Sequence, residues 1–237
     1  DLIIVAGRPS MGKTAFALNM AQYAALDGHT GVAVFSLEMS KEQLVLRMLC
    51  CEARVDQSKV RAGFAAQRDY PKLAIAAERL SEAPIYIDDT PNITTMELRT
   101  KARRLQAETG LDLVIVDYLQ LMQSSTTTRD ANRVQEVAEI SRGLKALARE
   151  LKVPVLALSQ LSRQPEMRES KEPRLSDLRE SGSIEQDADL VMFLWREKER
   201  GSDDQVTDGE VIKLKLAKHR NGPTGEIDLW FKKAQTR

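Results

Sequence analysis

Apolar and polar positions along this chain follow two different periods. Unbroken runs rich in Val, Ile and Leu occupy 2–7, 31–36, 84–88, 112–117, 153–159 and 188–195. Runs of that length and composition predict strands buried on both faces. Between them, apolar residues recur every three or four positions. The clearest case is 132–151, where Val134, Val137, Ile140, Leu144, Leu147 and Leu151 form a stripe; it predicts a helix with an ordinary core-facing side. Strands and helices in alternation predict an α/β fold, a mostly parallel twisted sheet with helices on both faces. Towards the end of the chain the period falls to two. Ile212, Leu214 and Leu216 alternate with Lys213 and Lys215, and Ile227, Leu229 and Phe231 alternate with Glu226, Asp228 and Trp230. The turn-rich stretch His219 to Gly225 lies between them, so the pattern predicts an antiparallel hairpin added to the sheet.

Three stretches carry no period and predict loops: Ser124–Ala131, Ser162–Ser183 and Glu197–Gly209. The first two follow the C-terminal ends of strands 112–117 and 153–159, the edge where doubly wound sheets bind ligands. No repeat and no second domain shows in the pattern, so 1–237 reads as one domain. Its first residues, Asp1-Leu2-Ile3-Ile4, already belong to a strand. A natural chain rarely starts its central strand there, and the expectation is a fragment of a longer protein.

Composition narrows the function classes. Lys and Arg number 35 and Asp and Glu 35, for a net charge of zero. That balance argues against coating nucleic acid through bulk charge, and leaves a local channel open. The charge is uneven: 211–237 holds Lys213, Lys215, Lys218, Arg220, Lys232, Lys233 and Arg237 against Glu226 and Asp228. The two cysteines, Cys50 and Cys51, are neighbours in a helical pattern and cannot easily pair, and no Cys or His set has metal spacing. Buried thiols in a reducing compartment, the cytoplasm, are expected. No apolar run reaches membrane-spanning length, so no membrane partner is expected.

Candidate chemistry begins at Gly7-Arg8-Pro9-Ser10-Met11-Gly12-Lys13-Thr14, a G-x-x-x-x-G-K-T pattern between a strand and a helix. Its glycines let main-chain N–H groups and a helix N-terminus face phosphate oxygens. Lys13 can reach the β- and γ-phosphates, and Thr14 can place its hydroxyl on Mg²⁺. The reading is a nucleoside triphosphate site with ATP and Mg²⁺ as its ligands. Asp117 ends the apolar strand Leu113 to Val116, the pattern of a carboxylate that holds Mg²⁺ through its water shell. The residue after it is Tyr118 rather than the Glu that many ATPases use to activate water. A base must come from elsewhere, and Glu38, just past strand 31–36, is the candidate, because that strand, beside the P-loop strand, delivers its C-terminal end close to the γ-phosphate. Its other reading is a residue that merely opens the next helix. Gln160, ending strand 153–159, is either a polar strand end or an amide that senses the γ-phosphate. Lys218 and Arg220 flank His219 and share one side of an extended segment. They form either a solvated cationic turn or a grip on a phosphate bound by a neighbouring subunit.

Taken in order, these motifs resemble the motor domain of the replicative DnaB-type DNA helicases. The resemblance spans nearly the whole chain and rests on GRPSMGKT (7–14), FSLEMS (35–40), DLVIVDYLQLM (112–122), LKALARELKVPVLALSQLSR (144–163), SDLRESGSIEQDAD (176–189) and KHRNGPTG (218–225). It implies a RecA-like P-loop fold and a homohexameric ring, with ATP between subunits and single-stranded DNA through the channel. It implies phosphate contacts from Ser10, Gly12, Lys13, Thr14 and Ala15, and a catalytic carboxylate at Glu38. Arg47 would lie near the nucleotide, and Lys218, His219 and Arg220 would complete the site from the next subunit. The segment Arg179-Glu180-Ser181-Gly182 would grip the DNA backbone. The charges across 163–180, five basic and five acidic, do not by themselves suggest DNA. The family's N-terminal helical domain and linker helix are absent from this sequence. Primase and a helicase loader are the partners the resemblance implies. A strand-pairing filament ATPase and a regulatory or loader ATPase are the competing readings, and RESGSIEQDAD and KHRNGPTG argue against the filament.

Overall fold

The computed structural model describes residues 1–124, 133–162, 168, 170–178, 182–197 and 209–237. In chain order the elements are β1 (Leu2–Gly7), α1 (Lys13–Leu26), β2 (Val32–Ser36), α2 (Lys41–Ala53), α3 (Gln57–Arg61), α4 (Tyr70–Glu82), β3 (Ile85–Asp88), α5 (Thr95–Thr109), β4 (Leu113–Asp117), α6 (Arg133–Leu151), β5 (Val155–Gln160), α7 (Gly182–Asp187), β6 (Leu190–Trp195), β7 (Glu210–His219) and β8 (Gly225–Phe231). The eight strands form one sheet in the order β3-β2-β4-β5-β1-β6-β7-β8. Strands β1 to β6 are parallel, and β7 and β8 join as an antiparallel hairpin.

Strand alternation divides the core between the two faces of the sheet. Leu2, Ile4 and Ala6 of β1, with Phe35, Val114, Val116, Val155 and Ala157, pack against α5, α6 and α7 through Leu98, Ile140, Leu144 and Ile184. On the other face Val5, Val34, Ile115, Leu156 and Leu158 meet Leu18, Ala21, Leu44 and Met48 of α1 and α2. Both faces of the central strands are therefore apolar, and their sequences run without alternation.

Several expectations change. The stripe of α6 starts one turn later: Val134 is exposed, and Val137, Ile140, Leu144, Leu147 and Leu151 are buried. In the hairpin, Ile212 and Leu214 are buried, whereas Ile227 is 58 % exposed, because β8 is an edge strand with a neighbour on one side only. The predicted loop Ser162–Ser183 carries a short 3₁₀ turn at Leu175–Asp177, and its last residues already belong to α7. Asp177 is buried there, paired with Arg168. The predicted loop Ser124–Ala131 lies outside the described residues except for Ser124, and Glu197–Gly209 does so except at its two ends.

Strand order also corrects the basis for Glu38. Strand β2 is not beside β1, because β4 and β5 stand between them. Glu38 is brought toward the P-loop by a loop that crosses the end of β4.

Candidate nucleotide site

Four strand ends, Gly7 of β1, Gln160 of β5, Asp117 of β4 and Ser36 of β2, lie along one edge of the sheet. Gly7 pairs with Gln160 and Ser36 with Asp117. Beyond Gly7 the chain turns sharply, with positive φ at Ser10 (65°) and Gly12 (82°). A side chain at Gly12 would also press on the Phe231 ring, 3.4 Å from a Cβ there. Gly12 caps α1 with no side-chain acceptor, which leaves the first-turn N–H groups to an anion. The loop, the strand ends and the end of the hairpin enclose a cavity of about 580 Å³, the size of an ordinary ligand site.

Lys13 donates from Nζ to the carbonyls of Gly7 (2.9 Å) and Arg8 (3.1 Å), so its ammonium is held across the mouth of the loop. Burial pulls its pKa below the ordinary lysine value, and the charges of Asp117 and Glu38 act against that pull. Thr14 Oγ1 donates to Asp117 Oδ2 at 2.7 Å. Asp117 is only 4 % exposed. Burial raises its pKa and the nearby Glu38 charge adds to the rise, while the Thr14 hydrogen bond and the charges of Lys13 and Arg47 oppose it.

This pair tests well against a magnesium ion. Mg²⁺ takes one or two protein oxygens and fills its shell with water and phosphate oxygens. The Thr14 hydroxyl and Asp117 carboxylate are adjacent hard oxygens, and the buried carboxylate gains from a cation. No cluster of three or more His, Cys, Asp or Glu competes as an all-protein cage among the described residues.

Glu38 sits in a short loop with three ties. Leu37 N donates to Asp117 O at 2.7 Å, the Ser36 hydroxyl donates to Met39 O at 2.7 Å, and Ser40 caps α2 in a reciprocal box with Gln43. Ser40, not Glu38, opens the helix, and Glu38 is an exposed residue on the cavity wall. Arg47 of α2 lines the same cavity, and its buried Nε has no hydrogen-bond partner among the described residues. Burial lowers its pKa against the pull of Asp117 and Glu38. Gln160 is there too, its N–H donating to Gln120 Oε1 at 3.3 Å while Gln120 Nε2 donates to the Ser159 hydroxyl at 2.9 Å. Ser10, Gly12, Lys13, Thr14, Ala15, Glu38, Arg47, Asp117 and Gln160 thus share one cavity.

Lys218, His219 and Arg220 do not line it. His219 pairs with Leu190 at the start of β6, and Leu190 pairs with Ile3 near the start of β1. They therefore lie at the opposite edge of the sheet, about 15 Å from the P-loop at ~3.3 Å per strand residue. Nor do they stand as two unmet cations. Lys218 Nζ donates to the Glu185 carbonyl, Arg220 Nη2 to the Gln186 carbonyl at 3.0 Å, and Arg220 Nε lies 3.4 Å from Asp189. Arg220 thus has an anion of its own chain beside it, whereas Lys218 meets a main-chain carbonyl. Arg179 and Glu180 lie outside the described residues, and Gly182 opens α7 with open space around its Cα.

The cavity also takes in Tyr118, Arg196, Phe231, Lys233 and Thr236, which motif reading missed. The hairpin held the signal for the last three. Two reversals after β6 return the chain end to the P-loop edge, where Thr236 bonds the main chain of Arg47 and accepts from Asn19.

The cavity suits the phosphate end of a nucleotide with one divalent cation, and on this sheet it defines a RecA-like P-loop domain. The sequence model of the DnaB-like helicase C terminal domain matches residues 1–237, and the chain belongs to that family. It is 55% identical over 231 residues to the replicative DNA helicase DnaB of Geobacillus stearothermophilus, covering 98% of this chain and 50% of that protein. It is 54% identical over 233 residues to the replicative DNA helicase DnaC of Bacillus subtilis (strain 168), covering 98% and 51%. A solved ATPase domain superposes with a TM-score of 0.90 at 38% identity, over 100% of this chain and 83% of that one. A DnaB-like replicative helicase, solved in a study of its interactions with primase, gives 0.89 at 38%, over 100% and 57%. The chain spans about half the length of the curated relatives it matches. No helix among the described residues is long and apolar enough to cross a membrane.

Proposed function

We propose that this chain is the motor of a replicative DNA helicase. It hydrolyses ATP with Mg²⁺ between subunits of a hexameric ring, moves along single-stranded DNA and opens duplex at the replication fork. The single observation that carries this reading is the separation within one chain. The phosphate-binding cavity lies at one edge of the sheet, and Lys218, His219 and Arg220 lie at the other. A neighbour in a ring can bring the second edge of one subunit to the first edge of the next.

In this mechanism the main-chain N–H groups from Gly12 to Ala15 and the Lys13 ammonium bind and orient the β- and γ-phosphates, with Ser10 at the turn. Thr14 and Asp117 hold Mg²⁺, which when bound neutralises charge on the transferring phosphate. Glu38 accepts a proton from the attacking water. Gln160 contacts the γ-phosphate from the neighbouring strand end, and Arg47 lies along the nucleotide. The neighbour's Arg220, with its Lys218 and His219, meets the charge that develops in the transition state, a contribution of about 10³–10⁵ in rate for such an arginine. Arg179, Glu180 and Gly182 meet the DNA backbone without reading sequence. The natural protein is proposed to be longer, with an N-terminal helical domain and linker, to work in the cytoplasm, and to bind primase and a loader. The family membership and the relative solved in a study of its primase interactions support this.

The test is steady-state ATP turnover over a range of protein concentration, with and without single-stranded DNA. Turnover per subunit that rises with both is expected. Turnover by an oligomeric protein that ignores both overturns the motor reading in favour of a switch ATPase.

A further inference from the structure

Asp189 occupies the joint between α7 and β6 and is only 4 % exposed. Its Oδ2 accepts from Leu2 N at 2.8 Å and pairs with Lys145 of α6. Its main chain is held as firmly as its side chain: the N–H donates to Leu2 O at 2.9 Å, and the carbonyl accepts from Arg220 N at 2.8 Å. The remaining oxygen, Oδ1, lies 3.4 Å from Arg220 Nε. Burial works to raise the pKa of this carboxyl, but Lys145, the Leu2 N–H and Arg220 outweigh it and hold the group below the ordinary value. The result is a rigid anion, braced by three elements, at the foot of a half-exposed arginine.

We propose that Asp189 is the positioning residue for Arg220, and that Arg220 is presented to a neighbouring subunit's triphosphate in an orientation set jointly by Asp189 and the C-terminal end of α7. This deepens, and rests on, the reading of Arg220 as a group supplied to the neighbour's ATP. Free arginine is rotamer-rich, and ordering it at the moment of reaction costs conformational entropy. Here Nε is drawn to Asp189 and Nη2 donates to the Gln186 carbonyl, which leaves the Nη1 donors for a phosphate oxygen. Preorganisation of this kind is where such a donor gains its effect. Lys218 is tied to the preceding α7 carbonyl, at Glu185. Both cations are therefore anchored to the C-terminal end of α7.

The test uses the full-length helicase and four proteins: wild type, Lys145→Gln, Asp189→Asn/Lys145→Gln, and Arg220→Ala. The double substitution removes both charges of the buried pair, so no buried ion is left unpaired, and only the half-exposed Arg220 loses its carboxylate. It is expected to keep the ring and to bind ATP within about threefold of wild type, while kcat with DNA falls about ten- to a hundredfold, as for a misplaced catalytic contact. Lys145→Gln keeps the carboxylate and should keep kcat even where the melting temperature falls. Mixing the double variant with Glu38→Ala should restore turnover, because each protein then supplies the face the other lacks. The proposal is overturned if the double variant turns over like wild type, if kcat follows melting temperature across the series, or if mixing restores nothing. If Arg220→Ala itself turns over normally, the underlying reading of the interface fails. If Arg220→Ala is inactive and the double variant is not, only the role of Asp189 fails.

Discussion

Two buried aspartates, one at each edge of the sheet, are driven in opposite directions by their surroundings. Asp117, at the P-loop edge, and Asp189, at the far edge, are both 4 % exposed. The neutral hydroxyl of Thr14 is the side-chain donor to Asp117, and burial raises its pKa. Asp189 carries Lys145, Arg220 and a main-chain N–H, which hold its pKa down. The first carboxylate is left in need of a cation, and the second is already satisfied by its own chain. In the proposed mechanism one edge receives a charged ligand, and the other uses its anion to fix the arginine it presents.

The largest effect should come from breaking the presenting edge. Arg220→Ala is expected to bind ATP nearly as wild type and to lose about 10³-fold in turnover, the scale of an arginine that acts across an interface. Mixed with Glu38→Ala, it should regain a part of the wild-type rate, measured by steady-state hydrolysis. Two inactive proteins that stay inactive together would mean the two edges do not meet. A smaller effect is expected in stability. Asp189→Asn leaves Lys145 with a neutral partner in a mostly buried site and should cost about 2–3 kcal/mol, below the usual range for breaking a buried pair because Lys145 keeps some solvent. The sign with pH follows from the depressed pKa. The ionised carboxylate stabilises the fold at and above the ordinary aspartate value, and that contribution fades as pH falls through the lower folded value. The gap in denaturation midpoint between wild type and Asp189→Asn should therefore close with acid. A gap that widens with acid would contradict the assignment.

How much of this was legible in the chain differs between the edges. The receiving edge is written locally. Gly7 to Thr14 is contiguous, and Asp117 announces itself by ending an apolar run. Strand order was not legible, because period tells which residues form strands and not which strands are neighbours. Glu38 was found through a wrong adjacency, since a tie from Leu37 N to Asp117 O does what strand proximity was expected to do. Phe231 and Thr236 reach the cavity only after two reversals of the chain, a long-range consequence of the hairpin. At the presenting edge the cations could be read, but their partners could not. Asp189 is 31 positions from Arg220 and 44 from Lys145; the alignment of β6 and β7 brings Arg220 to it, and the packing of α6 on the sheet brings Lys145.

The smallest effect separates the two edges most cleanly, because the same substitution should act with opposite sign. Asp117→Asn keeps an oxygen for the Thr14 hydroxyl and removes a charge that burial disfavours. Without nucleotide, and with chelator present, the protein should gain on the order of 1 kcal/mol, the low end of what neutral replacement of a buried ion yields. Lys13 and Arg47 temper the gain, since both are favoured by that charge. Asp189→Asn, in the same buffer, should melt lower than wild type. With ATP and Mg²⁺ the order changes again. Wild type should gain stability in proportion to its binding, and Asp117→Asn should lose the Mg²⁺-dependent part of that gain, while Asp189→Asn keeps it. Thermal unfolding of the three proteins, with and without Mg²⁺-nucleotide, reads all of this in one experiment. If Asp117→Asn destabilises the ligand-free protein as Asp189→Asn does, then Asp117 is a structural carboxylate like its counterpart, and the contrast between a receiving and a presenting edge fails.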